Sequence, residues 1–168
     1  MRFVLPVFFC YLALALQATF VPYLGIADVQ PDLPLIAVVL LALSRGAAAG
    51  TLAGFLVGLA QDLTNPAFLG LNALAKCILG WGVGNLRGRF DAGTALSYAA
   101  LLAVATIAQD TLVLTVHTRL VLSEMFLALA TRTLPTALYT AVIGAGAGVL
   151  FLSMRRSQRF GRSQFTSR

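Results

Sequence analysis

The chain has 168 residues, 59% of them hydrophobic and only 11% charged, with a mean hydropathy of +0.88. A water-soluble domain carries about 25% charged residues, so this sequence lacks the polar surface for a water-facing exterior and reads as one domain embedded in a bilayer. Its net charge of +6, from 12 basic and 6 acidic residues, lies mostly between and after apolar runs; topology explains it, and nucleic acid finds no folded basic surface to bind.

A span requires about 20 mostly apolar residues, and six candidates follow one another. The first runs from Phe3 to Val21 and stops at Pro22. Met1-Arg2 ahead of a long apolar stretch, with no small-residue cleavage site, reads as a first span and not as a signal peptide. The second, from Pro31 to Ser44, is short. Its apolar part gives about 21 Å of helix against a hydrocarbon core of roughly 30 Å. Either it starts outside the core with Pro31 as its first helical residue, or the bilayer is thinned there.

Only Ser44-Arg45-Gly46 divides the second span from the third, Gly46 to Leu63, so the two form a tight helical hairpin. Asn65-Pro66 is the next turn signal. The fourth span extends from Phe68 to Leu86, the fifth from Thr94 to Val116, and the sixth from Phe126 to Met154, where Pro135 is expected to kink the helix. The expected organisation is an all-α, polytopic membrane domain of six transmembrane helices over 1–154, with a basic cytoplasmic tail over 155–168. That tail holds Arg155, Arg156, Arg159, Arg162 and Arg168 and no acid. It reads as a stop-transfer anchor touching anionic lipid or as a protein docking site.

Basic residues orient the spans. With both ends in the cytoplasm, the inner segments hold Arg2, Arg45, Arg87, Arg89 and the tail arginines, while the outer loops hold only Arg119. Removing the second span would put Arg87 and Arg89 outside with Asp91 beside them. Trp81 and Tyr98 flank an inner loop, and Tyr23 the first outer one, as interfacial aromatics do.

The third span carries glycine at every fourth position: Gly46, Gly50, Gly54 and Gly58, with Asp62 next in the series. Residues four apart are helix-surface neighbours, so the run makes a ribbon free of side chains. In water each interior glycine would cost a helix roughly 1 kcal/mol; in lipid the same spacing lets two backbones approach. Each step advances about 400°, so the stripe winds slowly and suits a crossed partner. Gly80, Gly84 and Gly88 repeat the spacing in the fourth span, and Gly144, Gly146 and Gly148 loosen the sixth. Contacts within the chain and contacts with another subunit's helix both account for such repeats.

Polar residues fall at one depth. Ala60-Gln61-Asp62 ends the third span, Ala108-Gln109-Asp110 lies late in the fifth, and Gln17 late in the first. Asn72 and Lys76 open the fourth, and Arg132 opens the sixth. Gln17, Gln61, Asp62, Asn72, Lys76, Gln109, Asp110 and Arg132 therefore form an intramembrane polar layer toward the outer leaflet, two carboxylates against two cations. Charges in hydrocarbon face the bundle interior and pair. The layer is either a closed network holding helices in register, or a binding cavity or partner contact. Cys10 and Cys77 lie in apolar segments without disulfide or ligand spacing, and His117 is the only histidine; no metal site and no cofactor are expected.

Several motifs in order resemble the MreD family of rod-shape-determining membrane proteins. They are Pro31-Asp32-Leu33, an apolar run, Ser44-Arg45-Gly46, Gly50, Gly54-Phe55, Gly58 and Gln61-Asp62. Leu69-Gly70-Leu71-Asn72-Ala73-Leu74, then Gly80 and Gly84 before Arg87-Gly88-Arg89, continue the likeness. It covers roughly Pro31 to Phe90; the second half agrees in length and hydropathy only. The resemblance implies a non-enzymatic component of the bacterial inner membrane that works with MreC, the MreB filament, and RodA with its penicillin-binding protein in lateral peptidoglycan synthesis. It also implies a fold similar to the substrate-binding S components of energy-coupling-factor vitamin transporters.

Three functions compete. A scaffold would receive the MreC transmembrane helix on the glycine ribbon, so that Gly54→Leu breaks the complex and leaves insertion intact. A transporter's binding subunit would use the polar layer as a small-molecule pocket. An intramembrane aspartyl enzyme would use Asp62 and Asp110, although no Gly-Asp signature surrounds them, and neither a Gly-x-Ser-x-Gly elbow nor a paired-Glu motif occurs.

Overall fold

The computed structural model describes residues 4–19, 30–64, 69–88, 95–117 and 127–163. Pro22, Tyr23, the Asn65-Pro66 turn, Arg89, Asp91 and Arg119 lie outside them. Among the described residues six α-helices follow in chain order: α1 (Val4–Thr19), α2 (Leu33–Arg45), α3 (Ala47–Asp62), α4 (Leu71–Asn85), α5 (Ala95–His117) and α6 (Leu134–Ser163). α6 continues past Arg155, so the first part of the basic tail is helical.

α2 is the centre of the bundle, touching all five of the others. That position accounts for its brevity and its composition. Leu35, Val38, Val39 and Ala42 are completely buried, and Ile36 and Leu43 nearly so; a helix apolar all round is one enclosed by protein. Tyr98, Leu101, Leu102 and Ala105 of α5 and Val83 of α4 complete the main core around it. Tyr98, expected at the membrane interface, is 3% exposed and belongs to this core, whereas Trp81 is exposed.

Two antiparallel hairpins flank α2. In the first, positions descend along α4 as they ascend along α3: Gly50 faces Gly80, Gly54 faces Lys76, and Gly58 faces Ala73. In the second, Leu102 and Tyr98 of α5 meet Gly144 and Gly148 of α6. Ahead of α6 the helix widens into a π-helical turn, Leu129–Thr133. Pro135 has no N–H and its ring presses on the carbonyl four residues back, that of Thr131; the wide turn makes the room. The expected kink is thus a local π adjustment of the kind that membrane helices use around proline.

The exterior is the apolar side of this molecule. Leu52, Phe55, Leu74, Trp81, Val104 and Leu138 are all exposed, while Asp62, Lys76, Thr106, Gln109, Thr133 and Thr140 are buried. Such an inversion suits hydrocarbon as the surrounding solvent, and Leu96–Val116 and Leu129–Leu150 are long and apolar enough to cross it. Hydroxyls along the helices are satisfied locally: Thr51, Thr106, Thr111 and Thr115 each donate to the carbonyl four residues back, within 2.9 Å.

Candidate functional site

The glycine ribbon is occupied from within. A Cβ on Gly50 would fall on the Gly80 carbonyl, one on Gly54 on the Lys76 carbonyl, and one on Gly58 on the Ala73 backbone. From the other side, Gly80 meets Gly50 and Gly84 meets Ala47. The two four-spaced series seal against each other, and the ribbon expected to receive a partner helix is closed by α4. Its end members differ from expectation. Gly46 sits between α2 and α3 at φ 94° and ψ −176°, a region essentially restricted to glycine, and turns the chain instead of packing in a helix. Gly88 lies beyond α4 at φ 101° with open space around it.

Close approach of α3 and α4 fixes the place of Lys76, whose side chain is entirely buried. Its ammonium donates to Asp32 Oδ2 at 2.8 Å and to Gln109 Oε1 at 2.7 Å, and Gln109 Nε2 donates to the same Asp32 oxygen at 2.8 Å. One cation, one carboxylate and one amide thus form a closed triangle between α4, the start of α2 and α5. Charge-assisted bonds of this length are the strong ones. In a low dielectric, an unpartnered member would be costly.

Asp32 also begins α2. The first four N–H groups of a helix lack partners inside it, and here every one is accounted for. Leu33 N–H donates to Gln17 Oε1 of α1 at 3.1 Å, Pro34 has none, Leu35 N–H donates to Asp32 Oδ1 at 2.9 Å, and Ile36 N–H donates to the Asp32 carbonyl at 3.2 Å. The Asp32 N–H reaches Thr140 Oγ1 of α6 at 3.2 Å. Asp32 and Leu33 are therefore the hub on which α1, α4, α5 and α6 converge.

Asp62, 2% exposed, has a different task. It accepts from the backbone N–H groups of Gly70, Asn72 and Ala73 at 3.0–3.2 Å and from Asn72 Nδ2 at 2.9 Å. The carboxylate that ends α3 caps the start of α4 and favours the positive end of that helix dipole. Among the described residues it pairs with no cation, so the balanced pairing expected of the layer is corrected. Three carboxylates, Asp32 included, accompany Lys76 and Arg132. Nor do Asp62 and Asp110 form an aspartyl pair: Asp62 is consumed by the cap, and Asp110 is hydrogen-bonded with Thr133 of the π turn.

Beside the triangle lies a cleft with two lobes. The first, about 580 Å³, is lined by Tyr11, Leu14 and Gln17 of α1 together with Asp32, Gln61, Asn72 and Lys76. The second, about 480 Å³, is lined by Gln17, Gln30, Asp32, Gln61, Asp110, Arg132 and Thr136. Gln61 Oε1 is buried without a hydrogen-bond partner. All eight residues of the expected layer thus lie at one end of the bundle: Lys76 and Gln109 in the triangle, Asp62 and Asn72 in the cap, Gln17 at the hub, and Gln61, Asp110 and Arg132 along the cleft. Sequence reasoning passed over Asp32 itself. The available signal was an acid just ahead of Leu33-Pro34, which marks a helix N-cap. Thr133, Thr136 and Thr140 were also passed over; threonine in an apolar helix gives no warning of which face it occupies.

The other end is basic. Arg45 and Arg87 are exposed there, and Arg87 Nη1 approaches within 3.5 Å of the Cβ position of Gly46.

No significant match was found among curated proteins or solved structures. The family model for rod shape-determining protein MreD matches residues 1–156. The chain belongs to the MreD family, a family of rod-shape-determining membrane proteins.

Proposed function

We propose that this MreD-family chain is a non-enzymatic scaffold of the bacterial cell-elongation complex. It binds MreC by helix packing and supports lateral peptidoglycan synthesis, with MreB and with RodA and its penicillin-binding protein reached directly or through MreC. All six helices cross the inner membrane, both termini in the cytoplasm. The basic end of the bundle, with Arg45 and Arg87, faces inward as the distribution of positive charge requires.

The observation that carries this reading is the consumption of the strongest polar groups by structure. Lys76, Asp32 and Gln109 satisfy one another and Asp62 caps a helix; groups so engaged hold helices in register. With the glycine seam closed internally, MreC meets the exterior of the bundle, where van der Waals packing supplies the affinity.

Two measurements test it. Depletion of the protein in its host is expected to round the cells, and tagged wild-type protein is expected to bring down MreC from detergent extracts. Rod shape persisting after depletion, with MreC absent from the purified material, would overturn the scaffold. The cleft favours a second reading, a small-molecule subunit of a vitamin-type transporter on an S-component-like fold. A vitamin requirement on depletion, without rounding, distinguishes it.

A further inference from the structure

The two lobes of the cleft differ in character and share Gln17, Asp32 and Gln61. Tyr11, Leu14, Ala15, Ala18 and Ala60 make the first mostly apolar; the second is mostly polar. Each is of a size that holds a small ligand. The first opens along α1, whose Tyr11, Leu12 and Leu16 are exposed on the hydrocarbon side.

The charges are arranged unequally. Asp32 and Lys76 neutralise each other at 2.8 Å. Asp110 and Arg132 both line the second lobe, yet among the described residues neither forms an ion pair. Two opposite charges left uncoupled in one polar cavity complement a ligand that carries both signs. An anion alone would face Asp110 with Asp32 behind it, and a cation alone would face Arg132. Arginine's planar fork suits phosphate, and a carboxylate suits an ammonium group.

Gln61 sits where the lobes meet, and Lys76 lines the first lobe. Gln61 Oε1 is buried with nothing to accept from, a costly condition that an N–H or O–H of a ligand would relieve. Lys76 has three donors and spends two, on Asp32 and Gln109. We infer that the cleft binds a zwitterionic amphiphile, its ammonium beside Asp110, its phosphate beside Arg132, and its apolar part along α1. The inference is independent of MreC binding. An aminophospholipid of the surrounding leaflet and a free aminoalkyl phosphate share the headgroup chemistry; the apolar lobe favours the lipid.

Native mass spectrometry of the full chain in detergent tests this, with phosphatidylethanolamine, phosphatidylglycerol and glycerophosphoethanolamine added separately. Phosphatidylethanolamine is expected to be retained about tenfold better than the anionic lipid, and glycerophosphoethanolamine only weakly. Arg132→Gln and Asp110→Asn are each expected to lower retention about tenfold, the equivalent of one charge-assisted bond, and Arg132→Lys to keep most of it. Arg132 is exposed, so its variants decide the matter even where Asp110→Asn fails to fold. Equal retention of the two lipids, or retention unchanged in the Arg132→Gln protein, overturns the site. Binding of glycerophosphoethanolamine as tight as that of the lipid overturns the apolar arm and assigns the charges to a soluble zwitterion.

Discussion

The α3–α4 and α5–α6 hairpins both place glycines between antiparallel helices, but they use the missing side chains differently. Between α3 and α4, glycine brings backbone onto backbone: Gly50 against Gly80, Gly54 against the Lys76 carbonyl, Gly84 against Ala47. Ala42 of α2 presses on the same spot at Gly50, so three helices meet there with scarcely a side chain between them. Between α5 and α6, glycine makes hollows for side chains, Leu102 above Gly144 and Tyr98 above Gly148. A carbonyl in a helix cannot step aside without moving the helix, whereas a leucine tip can rotate. Identical residues therefore carry different obligations, set by what stands opposite.

A single added methyl group separates these cases, and thermal unfolding of the detergent-solubilised protein reads the difference. Gly54→Ala drives a Cβ into the Lys76 backbone and is expected to cost about 3 kcal/mol or more, at the upper end of overpacking. Because that carbonyl belongs to the residue at the centre of the polar triangle, the variant should also lose stable protein before it loses any partner. A Gly54→Ala protein with wild-type melting behaviour would break the comparison.

Gly148→Ala and Gly144→Ala sharpen it. The Cβ at position 148 would lie 2.8 Å from Tyr98 Cγ, close to the root of its side chain. At position 144 the conflict is with Leu102 Cδ1, a flexible tip. Both are expected to cost about 1–2 kcal/mol, with 148 the greater; the reverse order would show that side-chain flexibility is not the governing factor. Smallest is Gly146→Ala, where nothing stands within 4 Å. It is expected to be neutral or stabilising by up to about 1 kcal/mol through helix propensity. A clear loss there would mean that glycine at 146 serves something outside this chain.

Much of the architecture was legible in the residues. Runs of apolar sequence gave six helices among the described residues, because a segment in lipid must satisfy its backbone internally, and polar residues late in one helix and early in the next meet at one end of the bundle. The glycine spacing foretold close backbone approach, but not whose backbone. Gly46 and Gly88 continue the series in sequence and stand outside the helices, because a period of four says nothing about where a helix ends. The short second span looked like a deficiency and is the enclosed centre, a distinction that hydropathy cannot make. Asp62 looked like half of a charge pair and is a helix cap, since an acid at the end of one helix reaches the start of the next only once the hairpin has closed.

By itself the sequence determined the apolar character of the surroundings, the helices and the end of each helix at which its polar groups stand, because these follow from local composition and a rise per residue. The tertiary structure alone decided azimuth: which helix fills the glycine seam, that Asp32, Lys76 and Gln109 meet, and that Asp110 and Arg132 are left apart beside an open cleft. Rotation of a helix about its own axis is fixed only by its neighbours, and no single segment carries that information.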